Sequence, residues 1–225
     1  MTAQRAADAL RARAQQLADA GAWADAATLL RDHADDIRGH AACAALLGEA
    51  LVRTGRASEA RAWLVETLPG MARGDDRASL MRATVLSGAA HFELGDLAEA
   101  RRLFYETLDL ARADADDALV ARAMNNLGAI DNIQGRWTEA LANYNLAVSA
   151  HQRLGSARGL AECYHNMAIT YRDLGDLEEA DELEQRSVEF ARASRQDWLV
   201  GVARLGRAEL ALRRGDPSLA DATAR

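Results

Sequence analysis

Apolar residues recur along this chain at steps of three and four. Before Gly175 they fall at Ala161, Tyr164, Met167, Ala168, Tyr171 and Leu174, which together make one face of an α-helix. After it, Leu177, Ala180, Leu183, Val188 and Ala191 keep a similar but less regular rhythm. No stretch alternates as a β-strand does. The pattern predicts helix pairs, a helix A followed by a helix B, over 3–20 and 23–36, 39–54 and 57–68, 76–94 and 97–113, 116–134 and 137–154, 157–174 and 177–194, and 197–214 and 217–224. Six repeats follow, at 3–36, 39–70, 76–113, 116–154, 157–194 and 197–224. The linkers, at Gly70 to Asp76, Asp114 to Asp117, Leu154 to Ser156 and Ser194 to Asp197, are too short to separate domains. The expectation is one continuous array over residues 1–225.

A fixed set of marks accompanies the periodicity. Gly21, Gly55, Gly95, Gly135, Gly175 and Gly215 each stand five residues before an alanine, and the last five are spaced by 40 residues. Seven residues before each glycine stands a small residue: Ala14, Gly48, Gly88, Gly128, Ala168 and Ala208. A missing side chain at one point of helix A lets helix B approach closely. The turn glycine ends helix A because it takes the left-handed conformation at little cost. Four residues after the alanine comes Leu30, Leu64, Phe104 or Tyr144 in the first four units, a plug for the seam between repeats. Glu184 breaks this rule in the fifth unit, where it needs an arginine partner or a water-exposed edge.

Composition narrows the function classes. The chain is 49% hydrophobic but 5% aromatic, with two prolines, as a helical protein rich in alanine should be. A net charge of −7 argues against a nucleic-acid surface. Every basic residue is arginine, which genomic base composition explains more simply than function does. The N-terminus runs straight into an amphipathic pattern without the apolar core of a signal peptide, and no apolar run approaches membrane-spanning length. A cytoplasmic setting is the default expectation. Cys43 and Cys163 occupy equivalent places in repeats two and five and read as small buried hydrophobes. The five histidines fall at no metal-ligand or triad spacing, and Cys163 and His165 point away from each other on one helix. No catalytic site, metal or cofactor is implied.

Small residue, turn glycine and alanine at these offsets resemble the tetratricopeptide repeat over nearly the whole chain. The forty-residue spacing, and segments such as Met124-Asn125-Asn126-Leu127-Gly128 and His165-Asn166-Met167-Ala168, are similar to the longer-helix variety. That variety occurs in scaffolds of the LGN/Pins type, kinesin light chains, Rap-type regulators and MalT-like regulators. The resemblance implies an all-α, right-handed α-solenoid of about six helix-turn-helix repeats, its A helices lining a concave groove.

In such an array the groove-facing side chains come from fixed helix A positions. Here the resemblance points to Arg82 and Phe92 in repeat three, Arg122, Asn125, Asn126 and Asn132 in repeat four, and His165, Asn166, Ile169 and Arg172 in repeat five. Arginine forks and asparagine amides suit the carboxylates and unmatched backbone groups of an extended peptide. Asn126 and Asn166, one repeat apart, either grip such a backbone or bond to a neighbouring helix and set the stacking. Arg82, Arg122 and Arg172 nearly cancel Glu93, Glu162 and Asp173, which leaves the sign of the partner open.

The expected function is a protein-interaction scaffold or adaptor that holds an extended peptide or helix of a partner. The alternatives are a regulatory sensor arm of a larger signalling or transcription-regulatory protein, or a self-association module. The short last helix from Pro217, with Leu205, Leu212 and Leu219 lacking a neighbour, suggests a longer protein or an end covered by another subunit.

Overall fold

The computed structural model describes residues 3–195 and 197–216, and these form twelve α-helices and no strand. In chain order they are α1 (Ala3–Asp19), α2 (Trp23–Arg31), α3 (Ala34–Ile37), α4 (Ala41–Arg53), α5 (Ala57–Met71) and α6 (Arg77–Glu93). There follow α7 (Leu97–Ala113), α8 (Asp117–Ile133), α9 (Trp137–Leu154), α10 (Ala157–Leu174), α11 (Leu177–Ala193) and α12 (Asp197–Arg213). Every predicted helix inside the described residues is found. The last, 217–224, with Pro217 and Leu219, lies outside them.

All six turn glycines carry positive φ, from +71° to +88°. Each closes helix A so that helix B can double back. A second left-handed position recurs between repeats, at Ala115, Gly155 and Arg195, again forty residues apart. Only one of the three is glycine, so composition alone did not reveal it. Aspartate or serine caps five of the described helices: Asp76, Asp96, Asp116, Ser156 and Asp176 each accept a bond from the backbone N–H three residues on.

Two predicted boundaries are corrected. The helix expected over 23–36 stops at Arg31 and resumes as the single turn α3. Asp35 and Asp36 suit the N-terminal end of that turn, and the break lets Ile37 become fully buried. The helix expected to end at Leu68 runs on to Met71 through Pro69 and Gly70. Proline there removes the bond to the carbonyl of Val65, which lies on an exposed turn where water can serve it. The continuation places Met71 in the core.

The chain divides into two compact units, Met1–Leu110 and Ala111–Arg225. In the first, α4 packs on α1, α2, α5 and α6. In the second, α8 pairs with α9 and α10 with α11, with α12 on α10 and α11. The small-residue marks act as predicted. A Cβ built on Gly48 would lie 2.6 Å from Leu64 Cδ2, one on Gly88 2.6 Å from Phe104 Cε1, and one on Gly128 2.6 Å from Tyr144 Cε1. Tyr144 sits at the centre of the second unit's core with Val148, Leu160, Cys163, Tyr164, Met167 and Leu183. The same device appears once more between repeats, where the ring of His151 fills the space left by Gly159.

Candidate functional site

The predicted lining residues sit on the A helices of both units. In the first unit Phe92 is half-buried and Arg82 reaches back to repeat two. Its Nε donates to Glu49 Oε2 at 2.7 Å, and Arg53 donates to the other oxygen at 2.8 Å. Burial pushes the Glu49 carboxyl up, but the two arginines outweigh it and hold the group below the usual carboxylate range. Arg82 is therefore engaged in joining two repeats.

The second unit holds the other eight. Asn166 Nδ2 donates to Asn125 Oδ1 at 3.1 Å, linking α10 to α8. Of the two roles open to Asn166, the geometry displays the bond between helices. Asn125, 8% exposed, is its acceptor. Losing one amide of this pair would strand the other in a buried place, at a cost of roughly 1–3 kcal/mol. Asn126 is half-buried and its side chain makes no hydrogen bond among the described residues. Asn132 Nδ2 donates to Asp173 Oδ2 at 3.3 Å, while its Oδ1 is closed off from solvent without a donor. Arg172 bonds Glu209 on α12 at 2.9 Å. Arg122 and Ile169 are half-buried, and Ile133 beside Asn132 is 58% exposed.

His165 turns within its own repeat to Glu184, its Nδ1 lying 2.9 and 3.1 Å from the two carboxylate oxygens. Glu184 is 2% exposed, so the expectation of an arginine partner or a wet edge is corrected: a histidine meets it in the interior. The room comes from Gly206 of α12, where any Cβ would run into the carboxylate. Burial raises the Glu184 carboxyl above its ordinary range, and the His165 bond holds it back in part. Leucine, phenylalanine or tyrosine fills this seam in earlier repeats; here a polar side chain and a glycine share it.

Among the described residues no group of three or more histidine, cysteine or acidic side chains is placed to hold a metal ion. Burial pushes the thiol of Cys43 up to about 11 and that of Cys163 up to about 12. Both remain protonated near neutrality, which leaves no thiolate nucleophile. None of the described helices is long and apolar enough to cross a membrane. In the second unit the A helices offer amides, paired charges and exposed aliphatic groups, among them Ile133 on α8 and Leu174 on α10.

Comparison with known proteins agrees with this geometry. Profiles described as tetratricopeptide repeat match residues 119–193, 88–113, and both 41–66 and 201–225. A curated relative, the chloroplastic protein FLUORESCENT IN BLUE LIGHT of Arabidopsis thaliana, is 32% identical over 77 residues. That match covers 34% of this chain and 24% of the relative, so the chain spans about a quarter of that protein. Among solved structures, a Rap protein complexed with competence and sporulation factor superposes with a TM-score of 0.79 at 14% identity, over 94% of this chain and 60% of that one. BtubC from P. vanneervenii gives 0.65 at 17% identity, over 99% and 88%. PilF of Pseudomonas aeruginosa gives 0.64 at 16%, over 98% and 90%. At such identities the likeness is one of fold. With the repeat profiles matched along both units and the turn glycines and small-residue contacts in their places, the chain belongs to the tetratricopeptide repeat family.

Proposed function

We propose that this protein is an adaptor whose A helices receive an extended peptide or a helix of a partner protein. The family and its fold serve in general as non-catalytic interaction modules. The observation that carries the finer reading is the A-helix face of α8. There, among the described residues, the Asn126 side chain makes no hydrogen bond and Ile133 stands open to solvent. A half-buried amide on the same helix as an exposed aliphatic group is what a backbone with regularly placed side chains would complete. A neighbour of the same fold is solved in complex with a competence and sporulation factor, which shows that the scaffold accommodates a bound factor in that protein.

Ile133→Asp tests the reading without touching the core. Affinity capture from native lysate, followed by mass spectrometry, should lose the partner retained by the unsubstituted protein, while helical circular dichroism stays unchanged. Equal capture by both would place the binding surface elsewhere.

A second reading is self-association through α12. Its outer face exposes Trp198 (55%), Leu205 (66%) and Leu212 (59%) at steps of seven residues, an apolar stripe of the kind that marks an interaction surface. Light scattering across a dilution series should then show a mass that falls on dilution, and a constant monomer mass removes this reading.

A further inference from the structure

The seam between repeats four and five is built unlike its neighbours. Forty residues earlier and forty later, the same two places hold a small and a large apolar residue, Ala111 with Leu119 and Ala191 with Leu199. The later pair shares one buried cluster with Ala161. Here the sizes are exchanged and the large side chain is titratable. His151 of α9 lies against Gly159 of α10, where any Cβ would run into its Cε1 and Nδ1. The ring is 8% exposed, and its Nδ1 is closed off from solvent with no hydrogen-bond partner among the described residues. The polar groups next to it are already committed. Ser156 Oγ accepts from the Gly159 N–H, and the Ser156 N–H donates to the His151 carbonyl.

A neutral imidazole can leave Nδ1 bare and carry its proton on Nε2. An imidazolium carries a proton on both nitrogens. The one on Nδ1 would point at the glycine backbone with nothing to receive it, a cost added to that of burying the charge. We infer that His151 makes this seam a pH-sensitive joint, closed while the ring is neutral and loosened between α9 and α10 when mild acidification charges it. Within the second unit α9 packs on α8 and α10. At that end α8 and its cap bring Asp116, Asp117 and Arg122, α9 brings Arg153, and α10 brings Arg158 and Glu162. Burial holds the imidazole below its ordinary value near 6.5, and Glu162 offsets this only in part. Arg158 already bonds that carboxylate at 2.9 Å. The opened seam therefore takes the proton first as pH falls, and the closed seam loses stability across that interval. α10 also carries Asn166, bonded to Asn125 of α8, so the joint bears on how the A helices of this unit sit together.

Amide exchange of residues 147–154 and 157–162, measured in the whole chain at pH 7.5 and 5.5 and corrected for the intrinsic effect of pH, reads the joint. The opening constant should rise by about five- to tenfold on acidification, since an exposed histidine titrating near 6.5 takes up its proton over that range. In the double variant His151→Ala with Gly159→Leu, which restores the pairing of the adjacent seams, the rise should vanish. His151→Phe, which keeps a ring against Gly159, should abolish it too, and either variant that folds suffices. The ring titration needs neither: by NMR the His151 signals of the unsubstituted protein should titrate below 6.5. An opening constant that does not change with pH, a rise that survives in a folded variant, or a ring that titrates at or above 6.5 would each overturn the joint.

Discussion

Gly128→Leu lowers the stability of the protein by about 3 kcal/mol, the upper part of the range for overpacking a tight helix contact. Even a single Cβ at this position would lie 2.6 Å from Tyr144 Cε1 and 2.8 Å from Cδ1. The ring has nowhere to retreat: Tyr144 is 1% exposed and packed among Val148, Leu160, Met167 and Leu183. Urea unfolding followed by circular dichroism measures the loss. Adding Tyr144→Ala should recover part of it, because the two substitutions act on one contact and are not additive. Gly135→Ala makes a useful contrast. No atom lies within 4 Å of its Cβ position, but its φ of +71° strains any L side chain. Its smaller loss should be indifferent to Tyr144→Ala. A neutral Gly128→Leu would mean that α8 and α9 do not meet as described.

Arg82→Met should cost about 2 kcal/mol at neutral pH, because it strips one of two cations from a buried carboxylate. Complete loss of a buried partner costs more, but Arg53 remains at 2.8 Å and the Arg82 side chain is itself 41% exposed. The pH dependence has a definite sign. Glu49 in the folded protein is held below its ordinary value, so its contribution is present above the unfolded value near 4.5 and lost as pH falls through the folded one. Without Arg82, burial dominates and the carboxyl moves up. The gap between variant and wild type should therefore be widest near neutrality and close as the medium is acidified towards pH 4. Unfolding midpoints across that range measure it. A gap that widens on acidification would contradict the assignment.

These two cases mark different depths of legibility. Gly128 was readable because its partner lies sixteen residues on in the same helix pair, and the same offset recurs at Gly48 with Leu64 and Gly88 with Phe104. A contact that repeats in phase leaves a linear signature. Arg82 was equally visible as a groove position, but nothing in its spacing says that it binds Glu49, 33 residues earlier. Asn125 with Asn166 and Asn132 with Asp173 are likewise 41 residues apart, and each pair depends on rotamers on adjacent helices. His165 belonged to the same predicted lining, yet it bonds Glu184 in the seam because Gly206 leaves space there. The end of the helix expected at Leu68 was missed for a related reason: proline costs a helix one bond and some steric crowding, and whether packing such as that of Met71 outweighs this is a property of the folded chain.

Helical periodicity, the left-handed glycines and the small-to-large offsets are short-range consequences of backbone geometry. They were present in the order of residues, and with them came the helix pairs and the family. Which polar groups are consumed inside the protein, and which are left for another molecule, arose when separate helices were brought side by side. A hydrogen bond depends on tenths of an ångström between groups far apart in the chain, and no spacing along the chain encodes that distance.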